Sequence, residues 1–313
     1  MRPTLSIVLF TTLSGAGYGL WFLLGMAISI GAWPPGRSTV LVPLALGLVL
    51  TSAGLLASLA HLGKPLRAWR ALSQWRSSWL SREGVASLAC VPVVVLLAIC
   101  VDRAHLSTAI RLGFLLLAVL AAATVFCTSR IYSSLKTIRA WHNPRVLPLF
   151  ALLALQTGGL CLWAVRSRHP AERIADWMWL VALALVIVAA TWLQHAYWRA
   201  LDRMPATSAG VATGLDRFGA VRSFEAPHTE ENYLIREMGF AFARRRAALL
   251  RETTRTLLFF VPMLALGATA LAPRAGSVVA ALAASCALAG VFVQRWLFFA
   301  EARHVVMAYY GRE

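Results

Sequence analysis

Acidic residues are scarce. Only 13 Asp and Glu stand in 313 residues, against 30 Lys and Arg, and charged residues of both signs make up 14% of the chain. A soluble domain carries about 25% charged residues, so this chain has too little charge to cover a surface in water. Cysteines are few as well. Cys90, Cys100, Cys127, Cys161 and Cys286 are scattered with no C-x-x-C pair, which excludes a disulfide scaffold and argues against iron–sulfur ligation by this chain. Apolar residues make up 59% of the sequence, and mean hydropathy is +0.68, which excludes a disordered chain. The net charge of +17 would point to nucleic acid in a soluble protein. Here the basic residues sit between apolar runs, the pattern of loops held at a membrane surface, and no nucleic-acid partner is expected.

A helix that spans a bilayer needs about 20 mostly apolar residues. Eight runs qualify: 5–33, 39–61, 79–101, 106–128, 146–165, 175–198, 254–273 and 276–300. Turn signals such as Pro34-Pro35-Gly36, Gly63-Lys64-Pro65 and His142-Asn143-Pro144 separate them. Backbone groups in lipid must bond internally, and the runs are continuous rather than alternating, so the spans are helices and not barrel strands. The first run is too long for the apolar core of a secretory signal and reads as a retained span. The expected fold is an all-α integral membrane protein of eight transmembrane helices in a single membrane domain over 1–313. A faint likeness of Leu13-Ser14-Gly15…Leu20-Trp21 to Leu155-Gln156-Thr157-Gly158…Leu162-Trp163 suggests two four-helix halves. Gly15 and Gly19, and Gly158 with Gly159, are read as points of close helix packing.

Orientation follows from the basic residues. With eight spans, both termini and the loops after spans two, four and six share a side. That side holds 22 of the Lys and Arg and the other holds 7, with Arg295 inside the last run. The positive-inside rule places the richer side, and both termini, in the cytoplasm of a bacterial inner membrane. The one long connection, 199–253, carries an expected basic helix at about 230–251, with Glu230 and Glu231 early and Arg244, Arg245 and Arg246 late. Two readings stand: a helix lying on anionic lipid, or a platform for a soluble subunit.

Span middles are nearly empty of ionisable residues. What remains gathers on the basic face: His61, His142, His195, His228, His304 and Glu83. His61 ends span two and Glu83 opens span three, and the short loop between them returns both to one level. A quinone exchanges two electrons and two protons, and needs an apolar pocket with a few polar groups at its oxygens. A histidine titrating near neutrality, with a carboxylate behind it, suits that exchange. Arg67, Trp69 and Arg70 are candidates for the mouth. Each has a structural alternative. His61 suits a helix C-cap before Gly63, Glu83 suits a first-turn dipole partner beside Arg82, and Trp69, Trp75 and Trp79 suit interfacial anchors. A b-type haem would need two facing histidines, and His61 and His195 are poorly placed for one; no haem and no metal site is expected in this chain. A small-molecule transporter, the reading from another class, would need broken helices and polar groups near the midplane, and few such groups occur.

Phe10-Thr11-Thr12-Leu13-Ser14-Gly15-Ala16-Gly17, Ser58-Leu59-Ala60-His61-Leu62-Gly63-Lys64-Pro65-Leu66-Arg67-Ala68-Trp69, Lys136-Thr137-Ile138-Arg139-Ala140-Trp141-His142-Asn143-Pro144 and Arg236-Glu237-Met238-Gly239-Phe240 resemble the membrane anchor subunit of the DMSO reductase family over nearly the whole chain. The resemblance implies eight spans without haem and two partners, a molybdopterin catalytic subunit and a four-cluster iron–sulfur subunit. It implies electron exchange between the quinone pool and the nearest cluster, so that this chain is a redox subunit without a catalytic residue of its own. It also implies that His61 and Glu83, matching a histidine and a glutamate of the family, serve quinol binding and proton transfer. Similar anchors serve complexes that oxidise sulfite in the cytoplasm and complexes that reduce dimethyl sulfoxide or another S- or N-oxide. The charge asymmetry favours the sulfite-oxidising kind.

Overall fold

The computed structural model describes residues 3–34, 36–60, 62–101, 106–166, 173–205, 208–221, 224–225, 246–271 and 276–310. Eight long helices follow the eight apolar runs: α1 (Leu5–Ser29), α2 (Arg37–Leu59), α3 (Trp79–Cys100), α4 (Thr108–Ser133), α5 (Val146–Arg166), α6 (Arg173–Asp202), α7 (Ala247–Leu271) and α8 (Gly276–Ala300). Each is long and apolar enough to cross a bilayer, and no strand occurs among the described residues. The protein is an all-helical membrane bundle.

Ser78 and Ser107 cap α3 and α4, each accepting from a backbone N–H three residues on. Gly31, at φ 76°, takes the left-handed turn that ends α1. Gly63 is not left-handed; α2 ends at Leu59 with Ala60 as its cap residue. Helix α7 starts at Ala247 rather than near 254. Arg251 and Arg255 interrupt the apolar run there without interrupting the backbone ladder. Most of the expected basic helix at about 230–251 lies outside the described residues, as do His61, His228 and the Arg236–Phe240 block; residues 247–251 belong to α7.

Helices α1 and α5 are mostly buried, whereas the other six leave most of their spans facing outward. The outward faces are apolar: Leu96, Ile99, Leu185, Trp192, Leu264 and Leu282 are exposed, as lipid contact requires. The two central helices touch backbone to backbone. A Cβ on Gly158 would run into the α1 backbone at Ala16 and Gly19, and a Cβ on Gly19 would meet the Ala154 carbonyl. Gly15 has open space beside it, so of the expected pair only Gly19 serves packing. Helix α1 packs on α2, α4, α5 and α8, and α5 packs on α6, α8, α1 and α4. Laying α1–α4 over α5–α8 reproduces these neighbours, but the further contact of α5 with α2 has no counterpart between α1 and α6.

Pro43, Pro92 and Pro262 interrupt the ladders of α2, α3 and α7, and an aromatic or amide side chain covers the break at Pro43 and at Pro262. Pro43 cannot donate to the Thr39 carbonyl, which accepts instead from Trp33 Nε1 at 3.1 Å. Pro262 cannot donate to the Leu258 carbonyl, and Gln156 Nε2 donates to it at 2.5 Å. Leu258 lies in a π-helical turn, Thr256–Phe260, within α7. In lipid an orphaned carbonyl has no water to turn to, so a side-chain donor from elsewhere in the fold is needed.

The ends of α4, α6 and α8 form one rim. Trp141 Nε1 donates to the Phe298 carbonyl at 3.0 Å, the Tyr197 hydroxyl donates to the Ala140 carbonyl at 3.2 Å, and Val305 N–H donates to the Thr137 carbonyl at 3.0 Å. Arg251 clamps Asp202 and Glu301, each at 2.8 Å, so the start of α7 joins the same rim. Burial pushes the Glu301 carboxyl above the usual carboxylate range, and the adjacent Arg251 opposes that shift. On the opposite rim Arg166 pairs with Asp176 at 3.0 Å.

Candidate functional site

The loop 62–78 and the first turns of α3 build the site on the basic rim. Lys64 leads into a 3₁₀ helix, Pro65–Leu72, that carries Arg67, Trp69 and Arg70. All three are exposed, Trp69 at 65%, with the Arg70 guanidinium 5.6 Å from the Trp69 ring centre. The loop is tied to α3 by side chains. Ser81 Oγ donates to the Ala71 carbonyl, and Arg82 donates to the carbonyls of Trp75 at 3.0 Å and Arg76 at 2.7 Å. Arg82 and Arg130 both lie over Trp79, at 4.3 and 5.3 Å. The cationic heads therefore stay at the rim while their stems cover apolar surface.

One residue beyond Arg82 the chain turns inward. Glu83 is 3% exposed, so it is not the solvated dipole partner that its first-turn position also allowed. The Thr128 hydroxyl of α4 donates to Glu83 Oε1, and also faces the Thr124 carbonyl at 3.0 Å. A hydroxyl has one proton and two lone pairs. When Glu83 is ionised, Thr128 donates to it; when Glu83 carries a proton, Glu83 donates to Thr128 and Thr128 donates to Thr124. The pair accommodates both protonation states without moving the backbone. Tyr18, Cys127 and Tyr132 lie within electrostatic reach of the carboxyl, and Ser87, one turn further along α3, is buried beside Tyr18.

Of the residues picked from sequence, Glu83 is buried near the start of α3, Arg67, Trp69 and Arg70 stand exposed on the preceding loop, and His61 lies outside the described residues. The other rim histidines take separate posts. His142 Nδ1 is 2.8 Å from the Ser133 carbonyl, His195 Nδ1 is 3.5 Å from Arg255, and His304 Nδ1 accepts from Val306 N–H at 3.1 Å. Sequence reasoning missed Thr128. Its signal was the change from apolar to polar in Cys127-Thr128-Ser129, at the end of a span that closes on the basic face. It also passed over the surroundings of Arg295. This residue is 2% exposed, its guanidinium lies 3.4 Å over the Phe150 ring, and Nε and Nη1 have no hydrogen-bond partner among the described residues. Tyr132, Trp141, Phe298 and Phe299 pack edge to face and stacked beside it.

Comparison with known proteins agrees with this architecture. The family model for the DMSO reductase anchor subunit (DmsC) matches residues 1–300. A sulfite dehydrogenase subunit of Allochromatium vinosum is 30% identical over 331 aligned positions, covering 99% of both proteins. A component of the anaerobic dimethyl sulfoxide reductase of Escherichia coli is 29% identical over 176 positions, covering 51% of this protein and 60% of that one. With eight spanning helices and a family match along nearly its whole length, this protein belongs to the DMSO reductase anchor subunit (DmsC) family.

Proposed function

We propose that this protein anchors a sulfite-oxidising molybdoenzyme complex in the bacterial inner membrane and passes its electrons to quinone near Glu83. The carrying observation is a buried carboxyl, hydrogen-bonded by Thr128, next in sequence to Arg82, whose guanidinium lies over Trp79. Oxidation of sulfite to sulfate releases two electrons and two protons. On this reading the electrons reach the membrane through an iron–sulfur partner seated on the rim. Quinone takes up both electrons and two protons to become quinol. Glu83 supplies a proton at its carboxyl oxygen and is recharged from the aqueous side, with His61 as the second proton-handling group. Apolar walls and a few polar groups suit a quinone ring, and the pair Glu83–Thr128 is the polar element. The basic face, cytoplasmic by charge, brings both termini and both partners to the cytoplasm.

Sulfite as donor is supported by the end-to-end similarity to the sulfite dehydrogenase subunit. The reverse direction, quinol oxidation for reduction of an S- or N-oxide, is supported by the partial similarity to the dimethyl sulfoxide reductase component. The purified complex separates the two. Sulfite-dependent reduction of a short-chain quinone, with no quinol-dependent reduction of dimethyl sulfoxide, is expected; the opposite pattern overturns the assignment.

A further inference from the structure

A second polar place lies inside the bundle, away from Glu83. A cavity of about 20 Å³ is lined by α5, α6 and α7. Gln156, Gln194, Thr191, Thr254 and Arg255 supply its polar lining, with Leu153 and Leu258 among the apolar residues. Gln156 lies ten residues into α5 and Gln194 eight residues before the end of α6, a depth of roughly 12–15 Å at the helical rise.

The polar atoms divide into satisfied and unsatisfied. Thr191 donates to the Ile187 carbonyl and Thr254 to the Leu250 carbonyl, both at 2.8 Å. Gln156 Nε2 donates to the Leu258 carbonyl that Pro262 leaves open. Gln156 Oε1 and both amide atoms of Gln194 have no partner among the described residues, although Gln156 is fully buried and Gln194 is 4% exposed. Such groups are costly to leave unpaired away from water. The missing partner must donate to a carbonyl oxygen and also be able to accept from an amide N–H. An ammonium only donates, and a ketone only accepts. A water does both, and a cavity of this size admits about one.

We propose that the α5–α6–α7 cavity is a water-binding site, with an ordered water hydrogen-bonded to Gln156 and Gln194. The water completes the repair of the proline break: Gln156 holds the Leu258 carbonyl on one side and the water on the other. The site reaches the rim beside Arg255, whose side chain is 34% exposed and which meets His195.

Radiolytic labelling of the full-length protein in lipid nanodiscs, in ¹⁸O water, tests this. Hydroxyl radicals form at bound water and mark adjacent side chains. Leu153 and Leu258 line the cavity, whereas Leu149, nearer the rim on the same helix as Leu153, is fully buried and outside it. Several-fold stronger labelling of Leu153 and Leu258 than of Leu149 is expected. Gln194→Leu is expected to erase the excess, and the wild-type comparison stands alone should that variant not fold. Labelling of Leu153 and Leu258 no stronger than that of Leu149 overturns the proposal.

Discussion

Thr128 on α4 hydrogen-bonds Glu83 on α3, joining two residues 45 apart in sequence, on consecutive helices, at a buried carboxyl. Their relation has a kinetic consequence. Thr128→Val keeps the shape and removes the hydroxyl. One lost hydrogen bond to a group that changes charge corresponds to about 1.4 kcal/mol, so quinone-linked turnover should fall about tenfold. Turnover with a soluble dye should not change. Thr128→Ser should restore the quinone-linked rate, and failure to do so would assign the loss to packing.

The proline repair in α7 predicts a coupling between two positions. Gln156→Leu leaves the Leu258 carbonyl without its donor and should destabilise the bundle by about 1–3 kcal/mol. Pro262→Ala returns a backbone N–H to position 262. In that background Gln156→Leu should cost clearly less. Denaturant titration of the four variants in bicelles gives the coupling directly, and additive effects would show that the two sites are unrelated.

The central crossing of α1 and α5 separates glycines that look alike in sequence. At Gly158 a Cβ meets backbone, which cannot give way, whereas at Gly15 nothing lies within 4 Å. Gly158→Ala should lower thermal stability by at least the roughly 1–3 kcal/mol of an overpacked core, and Gly15→Ala should be close to neutral. Thermal denaturation of the two single variants compares them; equal effects would contradict the packing.

Near the C-terminus, burial lowers the His304 affinity for protons below the usual 6.5, and its Nδ1 accepts from Val306 N–H. Only the neutral ring can accept there. With the folded value below the unfolded one, the contribution to stability is complete above about pH 6.5 and is lost as pH falls through the folded value. Hydrogen exchange at the Val306 amide, corrected for its intrinsic pH dependence, should be protected at pH 7.5 and lose protection in acid. Constant protection down to pH 5 would contradict the neutral-acceptor role.

Much of this was legible in the sequence because lipid leaves few choices. Eight apolar runs became eight helices. Glu83 stood out as an acid among few. Other features need neighbours in space. Whether Gly15 or Gly19 faces α5 depends on helix rotation, which the small-residue spacing does not fix. Gln156, Gln194 and Thr128 carry no charge, so a search for ionisable groups in the spans passes over them. The start of α7 at Ala247 was hidden because Arg251 breaks the apolar pattern. It does so while reaching Asp202 and Glu301 across the rim, partners distant in sequence.

The central claim is that quinone exchanges its protons at Glu83. The most direct measurement compares Glu83→Gln with the unmodified complex in two assays, sulfite with a quinone and sulfite with a soluble dye. The substitution keeps size and hydrogen-bonding capacity and removes the titrating proton. Quinone reduction should fall by about a hundredfold or more, the scale of a lost acid–base group, while dye reduction and subunit assembly stay unchanged. Full quinone reduction by the Glu83→Gln complex would contradict the account.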